Sequence, residues 1–415
     1  MSSAAVCKQF AVPAVVRATV VPPLRFMAPA LLGLAHTSIR EEQIMRSWIY
    51  SLRQQALMLV LSVSSVVAFA QSTTAPATHT LQMSITLSAE SPVVAFAQST
   101  TAPATRTLRM SITLSAESPQ GKAAYDFAKR VSQYTDGRIR VDVYPEGKLG
   151  DDASMLKEVR AGTVDFMCPE GSIIGSVAKE FSAISYPFTF LSEAEADAVL
   201  DGQWGTGLFS KLPSQGLVGL AFWENGFRHL TNSRRPISSS ADFAGLKLRV
   251  MQNPMLVQSF NRLGFQAEPM PFSRVYDALK NQTVDGQENP LPTILTSRFH
   301  EVQKHLTLSR HAYSALVLVA SSKSWDSLSP RDREAIQRSA SESKAYQRSL
   351  NRELNAKALA ELKAKGMLVS ELPREDADRI RYRLRDVFDK YNAEIGVKTM
   401  VDLYVELGRL RTTSR

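Results

Sequence analysis

The chain has 415 residues, 44% of them hydrophobic and 21% charged, which suits two or three globular domains and excludes a fibrous or intrinsically disordered protein. Its formal charge of +9 falls to +5 once the leader described below is removed, which is mild and weakens any reading with nucleic acid as a partner. Two cysteines, Cys7 and Cys168, are too few for a disulfide framework, so stability has to come from an apolar core.

Residues 1–44, with Pro22-Pro23 and no hydrophobic period, read as an upstream extension from a misassigned start codon. Residues 45–70 carry the three parts of a secretory signal. Arg46 and Arg53 form the basic region, Ala56 to Val67 the apolar region, and Ala68-Phe69-Ala70 the small-x-small cleavage site. Ser62, Ser64 and Ser65 make the apolar run too polar for a stable membrane span. Cleavage after Ala70 removes Lys8, Arg17, Arg25, Arg40, Arg46 and Arg53 with Glu41 and Glu42, which lowers the net charge by four, to +5. Cys7 goes with them, and Cys168, at the end of an apolar strand, is expected to be buried packing. No lipobox cysteine follows, so the expected product is a free soluble protein outside the cytoplasm, in the periplasm of a Gram-negative bacterium.

Residues 66–92 and 93–119 repeat the same 27-residue unit with differences only at His79/Arg106 and Gln82/Arg109. Two near-identical copies do not make a solenoid; they read as a recent tandem duplication of the cleavage site and first strand. Residues 71–106 are therefore expected to be poorly ordered, with the folded protein beginning near Thr107.

From Thr107 the pattern alternates between periods. Leu108, Met110, Ile112 and Leu114 fall on one face of a strand, and Ala124, Phe127, Val131 and Tyr134 on one face of a helix that stops at Gly137. Ile139, Val141 and Val143 mark a second strand. Asp151-Asp152 caps a helix through Met155, Leu156 and Val159, and Val164 to Cys168 is a third strand. Alternating β and α units predict a largely parallel sheet covered by helices, with ligands bound beyond the strand ends. Pro169-Glu170-Gly171 lies at such an end. Leu217 to Trp223 is a further buried strand that runs into Glu224-Asn225-Gly226-Phe227-Arg228, where a second α/β unit begins.

In that unit Gly245 to Val250 reads as a strand with Leu246, Leu248 and Val250 inward and Lys247 and Arg249 outward. Helices are predicted from Met255 to Leu263 and from Phe272 to Asn281, followed by Val284 to Gln287. Leu306 to Leu308 and Ala315 to Ala320 are apolar runs able to cross back to the first unit and form a hinge. Ser329-Pro330-Arg331-Asp332 is a helix start, and no proline or glycine follows until Gly366. One helix over 330–365 would be about 54 Å long, longer than one small domain, and its sparse apolar positions suit a helix lying across two. Two amphipathic helices close the chain, through Ile380 to Tyr391 and Met400 to Leu410.

Enzyme signatures are absent: there is no G-x-S-x-G, H-E-x-x-H, Walker loop, paired C-x-x-C or dinucleotide G-x-G-x-x-G. His300, His305 and His311 match no metal spacing and read as surface or packing residues; no metal and no cofactor is expected. What remains is a set of polar residues at strand ends. An arginine there suits capture of a carboxylate, because its planar fork donates two parallel hydrogen bonds and stays charged. For any single arginine an ordinary surface salt bridge is the plainer reading.

Several stretches together resemble the solute-binding subunits of tripartite ATP-independent periplasmic (TRAP) transporters, the DctP-like family. They are LSAESPQGKAAYDFAKRVSQYTDGRIRVDVYPEGKLGDD, ENGFRHLTN at 224–232, GLKLRV at 245–250, PMPFSRVYDALKNQTVDGQENP at 269–290 and WDSLSPRDREAI at 325–336. The resemblance implies an α/β, two-lobed periplasmic-binding-protein architecture with a hinge and a long helix spanning both lobes. The lobes would divide as 107–225 with 315–345, and 226–314 with 346–415. It implies that Arg249 pairs with a ligand carboxylate, supported by Arg228 and Asn289, and that Phe272 and Glu170 occupy pocket positions. Ser118-Pro119 stands where members often carry a histidine before the proline. The expected function is capture of a carboxylate-bearing organic acid, C4-dicarboxylate-like or related, by a monomer that delivers it to membrane permease subunits. A binding protein feeding a sensor or chemoreceptor is the alternative, and an enzyme acting on an organic acid a more distant one.

Overall fold

The structure is a computed structural model that describes residues 105–413. The leader and the duplicated segment up to residue 104 lie outside the described residues. Within them the first elements follow the sequence periods closely. Strand β1 (Arg106–Ser111) leads to helix α1 (Pro119–Tyr134), which is capped by the Ser118 hydroxyl accepting from the Gly121 N–H. Strand β2 (Ile139–Tyr144) precedes α2 (Asp152–Ala161), capped by Asp151 and ended by Gly162 in the left-handed region at φ 83°. Strand β3 (Phe166–Met167), the short helix α3 (Gly171–Ile174), α4 (Glu193–Asp201) and α5 (Gln203–Leu208) complete this half.

Strand β4 (Leu217–Asn232) carries the strand read from Leu217 to Trp223 on to Asn232, 16 residues in all. After it come β5 (Lys247–Val250), α6 (Pro254–Arg262), β6 (Gln266–Pro269), α7 (Val275–Lys280), β7 (Gly286–Pro290), α8 (Leu291–Thr296) and β8 (His305–Leu308). Strand β9 (Tyr313–Ser321) and α9 (Ser322–Asp326) lead into α10 (Pro330–Ala364), 35 residues with Ser329 at its cap. Strand β10 (Leu368–Glu371), α11 (Arg374–Ile395) and α12 (Val397–Thr413) end the chain.

The sheet is mixed, which corrects the expectation of a largely parallel one. Parallel pairs occupy the flanks: β1 with β2 and β3 on one side, β5 with β6 and β7 on the other. The middle is antiparallel, because β4 and β9 run against each other from Leu217↔Ser321 to Phe227↔Tyr313. Beyond Phe227, β4 continues alone into the second half, where Arg228 to Asn232 pair with β7 and Leu230 to Asn232 with β8. The strand order is β2-β1-β3-β9-β4-β7-β5-β6, with β8 and β10 branching from β4. Strand β4 thus belongs to both halves, and this gives the two-lobed architecture its connection.

The helix α10 ties the lobes a second time. Ile336 and Ala340 sit in the core with Phe127 and Trp223, and Ala358 and Leu362 in another with Val275 and Ile294. Its middle buries polar side chains instead: Gln347 accepts from the Glu224 N–H at 2.7 Å and donates to the Glu224 carbonyl at 2.6 Å. Asn351 donates to the Asn225 carbonyl at 3.2 Å and to the Glu224 side chain at 3.0 Å. These bonds fall where the β4–β9 register shifts between Glu224 and Gly226. A bulge leaves backbone groups without ladder partners, and the helix amides satisfy them. At the end of the chain, α12 lies against α4 and α5, with the Trp204 indole donating to the Thr399 carbonyl at 2.9 Å. Helix α11 packs on α6, and Tyr186 stacks on its Phe388 at 4.9 Å.

Candidate functional site

A cavity lies between the lobes, and all five residues singled out from the sequence line it: Glu170, Arg228, Arg249, Phe272 and Asn289. They come from five places along the chain, brought together because the cavity sits at the strand ends around β4. Their chemistry then divides them.

Arg249 leaves β5 on the opposite face from Leu248 and Val250, as alternation requires. Unlike exposed Lys247, it is only 3% exposed. Its Nε and Nη2 both donate to the Met270 carbonyl, at 3.0 and 2.7 Å, which fixes the plane of the guanidinium. Phe272 lies 5.8 Å from it, ring centroid to guanidinium carbon. Among the described residues no carboxylate lies within ion-pair distance of Arg249, whereas the other buried arginines, Arg228 and Arg348, are each paired. Burial pulls its pKa down to about 10; Glu288 and Asp152 act against that fall and Arg228 with it. Arg249 is therefore a desolvated, oriented and still charged donor with Nη1 uncommitted.

Arg228 is different. It is bidentate to the Glu288 carboxylate, through Nε and through Nη2 at 2.8 Å, and it also donates to the Glu288 carbonyl at 2.6 Å, Asn289 Oδ1 at 3.2 Å and Ser314 Oγ at 3.2 Å. Register explains the pairing: Arg228 faces Pro290 and Leu230 faces Glu288, so the two charges meet diagonally on one face of the β4–β7 ladder. Glu288 is held at about 2, because Arg228 and His311 outweigh its burial. His311 contributes through Nε2 at 3.2 Å, while its Nδ1 meets Ser309 Oγ at 2.8 Å. Asn289 is likewise engaged, accepting from Arg228 and donating to Gln287 Oε1. Glu170 lines the cavity, but its carboxylate is tied to the Ser172 N–H at 2.6 Å, the Ser172 hydroxyl and the Ser185 hydroxyl at 2.8 Å. Burial pushes its carboxyl up, opposed by Arg228 and the serines.

Sequence reasoning missed Glu288, which sits inside the DGQENP stretch as the partner of Arg228, and it read His311 as packing or surface rather than as part of this network. It also missed the wall contributed by the first lobe: Thr113, Gln120 and Asp152. Gln120 is bonded to the backbone, accepting from the Leu114 N–H at 3.0 Å and donating to the Cys168 carbonyl at 2.7 Å. Asp152 takes the Thr113 hydroxyl on one carboxylate oxygen. The Asp151-Asp152 pair signalled only a helix start; one residue caps α2 and the next faces the cavity. Ser118, at the position where a histidine was noted as common, is used for the α1 cap. Cys168 is buried and unpaired and lines the same cavity.

Residues 110–394 match the family model DctP, bacterial extracellular solute-binding protein, family 7. The chain is similar to the 2,3-diketo-L-gulonate-binding periplasmic protein YiaO of Escherichia coli, 36% identical over 270 residues that are 65% of this chain and 82% of that one. It is 33% identical to the C4-dicarboxylate-binding periplasmic protein DctP of Rhodobacter capsulatus over 283 residues, 68% of this chain and 85% of that one. Among solved structures, the sugar acid binding protein DctPAm of Advenella mimigardefordensis, in complex with galactonate, superimposes with a TM-score of 0.72 at 41% identity. That match covers 74% of this chain and 99% of the other. With a two-lobed fold, a long helix joining the lobes and a family match over most of its length, the chain belongs to the DctP family of TRAP periplasmic solute-binding proteins, a family of binding proteins rather than enzymes.

Proposed function

We propose that this protein is exported to the periplasm of a Gram-negative bacterium, captures an organic acid between its lobes through Arg249, and delivers it to TRAP membrane permease subunits. The observation that carries the capture step is Arg249 itself, a buried guanidinium with no carboxylate within ion-pair distance among the described residues, oriented by the Met270 carbonyl and lining the cavity. A ligand carboxylate would supply the missing counter-charge through charge-assisted hydrogen bonds. Arg228 and Asn289 support it from β4 and β7 at one remove, since both are held in the Glu288 network; Phe272 covers the apolar part of the ligand. The ligands named for the similar proteins, 2,3-diketo-L-gulonate, C4-dicarboxylates and galactonate, are all carboxylates. Contacts from both lobes are complete only when the lobes are closed on the ligand, so binding would draw the hinge shut. The signal-peptide pattern supports export, and the family supports the permease partner.

Isothermal titration calorimetry with a panel of C4-dicarboxylates, 2-oxo acids and sugar acids tests the reading. At least one acid is expected to bind, and Arg249→Met to weaken it by about 100-fold or more, as loss of a buried charge partner does. Unchanged affinity in a folded Arg249→Met variant would sink the proposal.

A further inference from the structure

Resting on the reading of Arg249 as the carboxylate anchor, we infer that Asp152 sets the specificity of the same cleft: it selects monocarboxylates bearing hydroxyl donors and rejects dicarboxylates. The argument follows from which polar groups around the cavity are already occupied. Two cations line it, Arg228 and Arg249, and Arg228 is consumed by Glu288. One guanidinium remains to receive one carboxylate. Two carboxylates line it as well, Asp152 and Glu170, both of them in the first lobe. Both oxygens of Glu170 are taken by Ser172 and Ser185. Asp152 is bonded among the described residues only by Thr113, on Oδ1, so Oδ2 is left to accept from a ligand.

Arg249 and Asp152 therefore stand in opposite lobes around one cavity, the first with Nη1 and the second with Oδ2 left without a partner among the described residues. They lie beyond ion-pair distance of each other yet close enough to interact electrostatically. A ligand held by Arg249 at its carboxylate presents the rest of its chain to Asp152. A hydroxyl there donates to Oδ2. A second carboxylate meets Asp152 and Glu170, two acids already crowded by burial, with no free cation lining the cleft to balance it. Like charges at close range disfavour the charged forms, and the repulsion acts as selection against the wrong acid.

The test is calorimetry of the wild-type protein, Asp152→Asn and Thr113→Val against gluconate, threonate and succinate. The expected wild-type result is binding of at least one hydroxy acid, with succinate about 100-fold weaker or undetected. Asp152→Asn should weaken the hydroxy acid about tenfold or more, as loss of a charged hydrogen-bond acceptor does, while succinate binding improves. Thr113→Val, which keeps the Asp152 charge, should keep the rejection of succinate. Succinate binding as tightly as the hydroxy acids, or Asp152→Asn shifting both kinds of acid equally, would overturn the inference and leave the carboxylate reading intact. If no acid of either kind binds to wild-type protein, the carboxylate reading fails and takes the inference with it.

Discussion

Burial takes Arg249 from the ordinary arginine value down to about 10, and at 1.36 kcal/mol per unit the charge costs the folded protein about 3 kcal/mol. The cost applies in full below about pH 10, where the native guanidinium is charged, and above that it fades gradually until the unfolded chain's arginine would also lose its proton. Arg249→Met should therefore stabilise the ligand-free protein by about 1–2 kcal/mol in urea titration while abolishing carboxylate binding, a trade of stability for function. His229 carries the opposite lesson in pH. It is 5% exposed, and burial first, then His311 and Arg310, lowers its pKa to about 3. A base whose native pKa is depressed stays neutral in the fold while the unfolded chain takes up the proton near 6.5. Its full contribution is thus present above 6.5 and is lost as pH falls toward 3. By pH 5 the loss is about 2 kcal/mol. His300 and His305 are lowered too and add slope in the same direction. Urea midpoints from pH 7.5 to 5 should fall less steeply in His229→Asn than in the wild type.

At the scale of elements, the junction between β4 and α10 is where the lobes are joined by side chains rather than by a ladder. Gln347 satisfies both backbone groups of Glu224 across the bulge, so Gln347→Leu leaves a buried N–H and C=O without partners. Each such loss costs about 1–3 kcal/mol, and thermal unfolding should show the variant destabilised accordingly, with Asn351→Leu behaving alike. The positions of these elements were legible in the sequence to within a few residues, because caps such as Asp151 and Ser329 and the helical and strand periods are local signals. Strand pairing was not. Whether β3 lies parallel or antiparallel to its neighbour depends on β9, some 150 residues later, and nothing near Phe166 encodes it. The site divides in the same way. Arg249 was visible, with Lys247, on the outward face of a strand whose other face is apolar. The engagement of Arg228 was not, because Glu288 reaches it through the β4–β7 register, and Asp152 faces the cavity only because the two lobes are juxtaposed.

For the molecule as a whole, the two lobes are not two segments of chain. The sheet of the first lobe runs β2-β1-β3-β9-β4, so Tyr313–Ser321 is an interior strand between β3 and β4, and β3 pairs with it through Phe166↔Ala320 and Met167↔Val319. The core of that lobe is finished by Ile336 and Ala340 of α10 against Phe127 and Trp223. A chain truncated at residue 312 lacks all of this while holding nearly every residue that lines the cleft. It should show no cooperative transition by circular dichroism, whereas residues 105–413 should show one. Contacts this distant in sequence form slowly, since loop closure has to precede them. A nascent chain of this topology has no complete lobe to fold until more than three hundred residues have been made. Such delay keeps the polypeptide threadable, which is what passage through a membrane pore demands before the binding cleft exists at all.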